Sequence, residues 1–148
     1  MSIKVRVSVP LDKVTGEYVK HIESQLEGRA YRGANELRNA ALLVLRGQGG
    51  GRSYRVPGTK RRYTASAPGQ PPAVRTGSLR NSWQPSAHAV MGSYISRVRS
   101  DVRTDNGQYN LSDLLENGTS KMAPRPHHDR ILEKAEGPVT RIYEEPYF

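Results

Sequence analysis

Residues 11–46 read LDKVTGEYVKHIESQLEGRAYRGANELRNAALLVLR. Leu11, Val14, Tyr18, Ile22, Leu26, Ala30, Ala34, Leu37, Ala41 and Val44 follow one another at gaps of three or four. That spacing averages close to the helical period and predicts an amphipathic helix. Gly47 and the glycines at 49–51 stop it. A continuous helix over 11–46 would be about 50 Å long, while a domain of this size has a radius of gyration near 15 Å. It therefore either bends near Gly28 or Gly33 or runs as a rod packed against neighbours. In both cases Ala30, Gly33 and Ala34 form a small-residue surface that admits another backbone closely. The stripe reads as core rather than as a cofactor groove.

Upstream, Ile3, Val5, Val7 and Val9 alternate with Lys4, Arg6 and Ser8, the pattern of a half-buried strand that Pro10 ends. Downstream, residues 47–76 are rich in Gly, Pro and basic side chains. Ser53–Val56 and Arg61–Ala65 flank Pro57-Gly58 and suit a hairpin, whereas Ser66–Ala73 is neither helix nor good strand. A stretch so poor in core-forming residues reads as an extended arm that orders against a partner. Thr76 fits the N-cap of a short turn running through Leu79 to Trp83. From Tyr94 to Arg103 alternation returns, with Tyr94, Val98 and Val102 on one face and Arg97, Arg99 and Arg103 on the other. Asp105-Asn106-Gly107 is a turn. Leu111, Leu114 and Leu115 make one or two helical turns closed by Asn117-Gly118. Pro126 suits the first position of a last helix, with Ile131, Leu132 and Ala135 facing its core and Gly137-Pro138 breaking or ending it. The tail from Tyr143 to Phe148 is aromatic and acidic, a candidate docking strip. The expectation is one domain over 1–148, in three stretches (1–46, 47–76 and 77–148).

The 148 residues carry a formal net charge of +9 and no cysteine. Disulfide scaffolds, Cys-based zinc sites and thiol catalysis are excluded. Leu, Ile, Val and Phe number 29, about a fifth of the chain, which leaves little apolar surface for an independent core. Partner subunits are expected to complete it. The longest apolar run, Ala40–Leu45, is far short of a membrane span, and no membrane partner is expected. Met1 to Val14 has no secretory apolar stretch, so the expected place of synthesis and use is the cytoplasmic side. Charge is segregated: residues 1–27 are neutral, 28–100 hold thirteen basic groups against Glu36 alone, and 101–148 are net −3. Such a chain can attract polyanions, can stack its acidic end on the basic middle of another copy, or can simply present a solvated basic surface.

His127-His128-Asp129 is the one cluster with metal or catalytic character. Adjacent residues at a helix start point in different directions, so capping or surface contact is the preferred reading. His21 and His88 read as structural. No serine sits in a nucleophile elbow, and Gly49–Gly51 lacks the Lys-Ser/Thr of a phosphate loop. An enzyme, a cofactor and a metal are not expected. With a single, terminal Phe there is no base-stacking platform. What remains is backbone attraction carried by Arg52, Arg55, Lys60, Arg61 and Arg62, with Arg97 and Arg99 as further polyanion-facing candidates.

Two segments carry a resemblance. SAPGQPPAVRTGSLRNS (66–82) and LENGTSKMAPRP (115–126) resemble two ordered signatures of the small neck and tail-completion proteins of long-tailed bacteriophages. Asn117 and His127 stand where aromatic or apolar residues are common in that family. The resemblance implies a virion protein of the head–tail junction, made in the host cytoplasm and acting as tail terminator, tail-completion protein or head–tail adaptor. It implies a ring, commonly of six copies, around the DNA channel, touching head-completion or portal-side proteins and the tail tube protein. It implies an α+β fold: a small antiparallel sheet packed by a long N-terminal helix and a C-terminal helix, with extended arms. The motif residues Pro68, Gly69, Pro71, Pro72, Thr76, Gly77, Leu79, Arg80, Glu116, Gly118, Thr119, Lys121, Met122, Arg125 and Pro126 are the candidate subunit-interface set. Physically, Gly69, Gly77 and Gly118 suit positive φ, the prolines hold an arm extended, and Arg125 offers a fork to Glu116 of its own or a neighbouring copy. The alternative function is sequence-independent nucleic-acid binding.

Overall fold

In the computed structural model, which describes residues 1–8, 16–47 and 49–147, the Ile3-Val5 alternation becomes strand β1 (Ser2–Ser8) and the long stripe becomes α1 (Gly16–Val44). There follow β2 (Ser53–Arg55), β3 (Arg62–Thr64), α2 (Ser78–Asn81), β4 (Trp83–Val90), β5 (Ser93–Ser100), α3 (Leu111–Asn117) and α4 (His128–Tyr143). The architecture is α+β. An antiparallel sheet in the order β1-β5-β4 is packed on one face by α1 and α4, while β2 and β3 pair as a separate hairpin. Val9, Pro10, Leu11 and Val14 lie outside the described residues.

The helix does not break at either glycine: α1 runs through Gly28 and Gly33, about 44 Å at 1.5 Å per residue. Ile22, Leu26, Ala30, Ala34, Leu37 and Ala41 are buried, and Leu37 and Ala41 join Ile3, Trp83, Val98, Ile131 and Ala135 in the core. Tyr18, the first described member of the stripe, is exposed. The small-residue surface does admit a close neighbour, and it is β5. Ser96 Oγ donates to the Ala30 carbonyl at 2.7 Å and accepts from the Tyr143 hydroxyl. A Cβ at Gly33 would stand 2.6 Å from that Oγ. Gly33→Ala is therefore expected to cost about 1–3 kcal/mol of stability, outweighing the gain of about 1 kcal/mol in helix propensity. Combined with Ser96→Ala, the loss should be smaller than the sum of the single losses in chemical denaturation.

Several boundaries differ from the expectation. The cap position of α2 belongs to Gly77 at φ 85°, and Thr76 instead accepts from the Ser78 N–H at 3.3 Å; Trp83 opens β4. β5 ends at Ser100 rather than Arg103, because Ser2 and Trp83 are the last residues of β1 and β4 to pair with it. Beyond it the Asp105–Gly107 turn leads back through one bridge, Arg103 to Asn110. Pro126 stands two residues ahead of α4, and α4 continues through Gly137 and Pro138 to Tyr143. Proline removes one backbone donor, but buried Ala135 and Val139 on either side hold the helix to the core. Leu132, expected in the core, is 38% exposed. The tail folds back on its own α1. Arg32 grips both carboxylate oxygens of Glu145, and buried Arg29 donates to the Pro146 carbonyl at 2.8 Å and lies 3.8 Å over the Tyr147 ring. This holds the Glu145 carboxyl below its usual range. Phe148 is outside the described residues.

Candidate functional site

The two motif segments are far apart in sequence and meet in space. The Gly69 N–H donates to the Pro124 carbonyl at 3.2 Å, and Arg130 Nη2 donates to the Gly69 carbonyl at 3.2 Å. Within the first segment, Gln70 Oε1 accepts from the backbone N–H groups of Gly50 and Ala67 at 2.8 and 2.9 Å, folding the proline-rich run onto the glycine run. A groove of about 580 Å³ opens between the segments. Pro72, Thr76, Gly77, Leu79 and Arg80 of the first segment line it with Met122 and Arg125 of the second, and Leu45 and residues 102–105 add to the lining. Pro72 is buried, Pro71 and Pro126 are half-buried, and Pro68, Gly69, Thr119 and Lys121 are exposed around it. The small loop beyond α3 is closed by reciprocal backbone bonds between Thr119 and Met122.

The positive φ expected at Gly69, Gly77 and Gly118 is present, at 78°, 85° and 73°. The pairing of Arg125 with its own Glu116 is not. Arg125 donates to the Ala123 carbonyl at 3.4 Å, while Glu116 Oε2 accepts from the backbone N–H groups of His127 and His128 at 2.8 and 3.2 Å. Glu116 thus caps α4 from outside, satisfying the first orphan donors and placing negative charge at the positive end of the helix.

The divergence expected of His127 and His128 is also overturned. His127 sits at φ −141°, outside the helix, so its side chain escapes the helical angular step and its ring falls 4.3 Å from that of His128. Both rings face α3. Their Nε2 atoms lie 2.9 and 3.1 Å from Ser112 Oγ, and their Nδ1 atoms 3.0 and 3.3 Å from Glu116 Oε2. His127 Nδ1 is also 2.9 Å from the Arg125 carbonyl. Both stack edgewise on Trp83 and are buried. Loss of hydration pushes both imidazoles below their ordinary range, and His128, further opposed by its neighbour His127, to about 4. Asp129, the third member of the sequence cluster, is exposed. Ser112 carries no local signal in the sequence; its role depends on α3 meeting the start of α4.

The basic candidates fall on two surfaces. Arg52, Arg55, Lys60, Arg61 and Arg62 are all exposed on the β2–β3 hairpin, and none pairs with a carboxylate among the described residues. Among the described residues Arg55 and Arg62 bond only to hairpin oxygens, of Thr59 and Ser53. Arg97 and Arg99 lie on the sheet face opposite the helices, where the register sets Lys4 and Arg6 beside them. Of these, Arg99 is already engaged by Asp101 at 2.6 Å. No family model matches the chain, and no curated protein or solved structure matches it.

Proposed function

We propose that this chain is a non-enzymatic virion protein of the head–tail junction of a long-tailed bacteriophage. It acts there as tail terminator, tail-completion protein or head–tail adaptor, in a ring of six copies around the DNA channel. The observation that carries the reading is the groove: residues of both segments that resemble the family's signatures, 66–82 and 115–126, line it together. A groove lined by Pro72, Leu79, Leu115 and Met122 together with Arg75, Arg80, Arg103 and Arg125 suits a neighbouring chain better than a reacting small molecule. Portal-side or head-completion proteins and the tail tube protein are the neighbours above and below. Passing double-stranded DNA meets the hairpin cations without base reading.

Mass measurement of the purified chain, alone and with tail or portal components, tests this reading. A closed oligomer or a stoichiometric complex is expected; a chain that stays monomeric with every such component overturns it. Replacing Arg52, Arg55, Lys60, Arg61 and Arg62 with Ser should leave the fold intact, because all five are exposed. It should also lower the yield of DNA-filled, tail-joined particles at least tenfold. The same exposed cations support a second reading, sequence-independent nucleic-acid binding. Five phosphate contacts would give a slope of about −4.5 in log affinity against log salt. Tight binding of free duplex with that slope, with no assembly onto tails, favours the second reading over the first.

A further inference from the structure

Proton counting around Ser112 exposes a deficit. Each neutral imidazole carries one proton, and the serine carries one. Ser112 Oγ can donate to only one of the two Nε2 atoms beside it. The other ring must either carry its proton on Nε2, leaving a bare Nδ1 lone pair against the Glu116 carboxylate, or carry it on Nδ1 and turn a bare Nε2 toward an oxygen lone pair. Two acceptors face each other in either case, inside a buried cluster. A second proton on that ring, making it an imidazolium paired with Glu116, removes the conflict, and so does a cation placed between the Nδ1 atoms and the carboxylate. With the cation, both rings keep their protons on Nε2, and Ser112 Oγ accepts both.

The distances fit such an ion. Bonds of about 2.0–2.2 Å in a tetrahedral site put ligand atoms about 3.3–3.6 Å apart, so the cluster opens by a few tenths of an ångström to take the ion. Glu116 Oε2 is 3.0 and 3.3 Å from the two Nδ1 atoms. One ligand atom each from Glu116, His127 and His128 lies within 4.8 Å of the others. The Arg125 carbonyl, 2.9 Å from His127 Nδ1, offers a fourth oxygen, and Glu116 Oε1 makes no hydrogen bond among the described residues. We propose that Glu116, His127 and His128 bind a divalent transition-metal ion of the zinc class, which staples the end of α3 to the start of α4. Two imidazoles and one carboxylate suit zinc better than calcium or magnesium, which favour all-oxygen shells. Ser112 is the positioning residue that sets both ring orientations. The staple closes the loop 117–126, which lines part of the groove, and so fixes the segment LENGTSKMAPRP in place.

The test uses the full chain stripped with a chelator and titrated with Zn²⁺, and with Co²⁺ as a spectroscopic stand-in. One ion per chain, the visible absorption of tetrahedral Co²⁺, and a rise in Tm of roughly 5–10 °C at a hundredfold excess over Kd are expected. Glu116→Gln keeps an oxygen acceptor for the capping N–H groups but loses the charge; it should bind at least tenfold more weakly and lose the Co²⁺ spectrum. Ser112→Ala should weaken binding by about 10–100-fold. Absence of stoichiometric uptake by the wild-type chain overturns the proposal, and so does a Co²⁺ spectrum without tetrahedral character. Equal affinity in wild type, Glu116→Gln and His128→Asn overturns it too, by assigning the metal to surface groups. The wild-type spectrum alone decides should a variant fail to fold. Metal uptake is read on single chains, so the staple and the ring stand or fall separately.

Discussion

Trp83→Ala is expected to lower the free energy of unfolding by about 3–5 kcal/mol, a large part of the 5–15 kcal/mol that a domain typically holds. Trp83 has no exposed surface and opens β4 opposite Ser100, where it fills the space between α1, α4 and the sheet. Both histidine rings pack edgewise on it at 6.2 and 6.3 Å, so truncation also unseats the Glu116–His127–His128 cluster. Its backbone carbonyl accepts from Arg38 Nε at 3.1 Å, a bond that the substitution leaves in place. Denaturant titration with an unchanged m-value would read the loss directly. Trp83→Phe is the contrasting variant. Trp83 Nε1 is buried and has no hydrogen-bond partner among the described residues, so the smaller ring discards an unsatisfied donor along with some packing. A loss of only about 1–2 kcal/mol is expected. Equal losses for the two variants would mean that the indole does not fill the core as described.

Gly118→Ala is expected to cost about 2–4 kcal/mol, although it adds one methyl group at a half-buried position. Gly118 closes α3 at φ 73°, ψ −173°, a backbone region essentially reserved for glycine. An added Cβ would stand 2.7 Å from the Met122 carbonyl oxygen and 2.8 Å from the Pro124 nitrogen, both backbone atoms that no rotamer change can move. Relief requires opening the Thr119–Met122 loop and shifting the Gly69–Pro124 hydrogen bond, which joins the two motif segments. The thermal transition should therefore fall, and subunit assembly should fall with it. Gly137→Ala is the control. Among the described residues nothing lies within 4 Å of a Cβ there, and the residue is inside α4, so the substitution should be neutral or stabilise by up to about 1 kcal/mol. If Gly118→Ala matched this control, the tight loop would not be the native one.

How far the sequence could be read follows from how local each signal is. The long stripe, the Ile3-Val5 alternation, the Pro57-Gly58 hairpin and the Asp105–Gly107 turn rest on neighbours within a few residues, and each is found where local chemistry placed it. The end of β5 and the passage of α4 through Pro138 depend instead on what lies across the sheet or beneath the helix. The candidate site divides in the same way. Positive φ at Gly69, Gly77 and Gly118 follows from turn chemistry at each residue. The partner of Glu116 did not follow, because two backbone N–H groups at the start of α4 compete with the Arg125 fork and hold the carboxylate.

The family resemblance implied the α+β packing of sheet and helices; by itself, local pattern determined the long helix, the strands, the final helix and a positive charge concentrated between residues 28 and 100. Periodicity and composition suffice for that, since both are sums over adjacent residues. Only the tertiary structure decided that α1 runs unbroken, with β5 seated against Gly33, and that the acidic tail returns to Arg29 and Arg32 of its own chain. It alone decided that Ser112, Glu116, His127 and His128 converge. Those outcomes depend on side chains from distant segments competing for the same space and the same hydrogen bonds, and no window along the chain contains that competition.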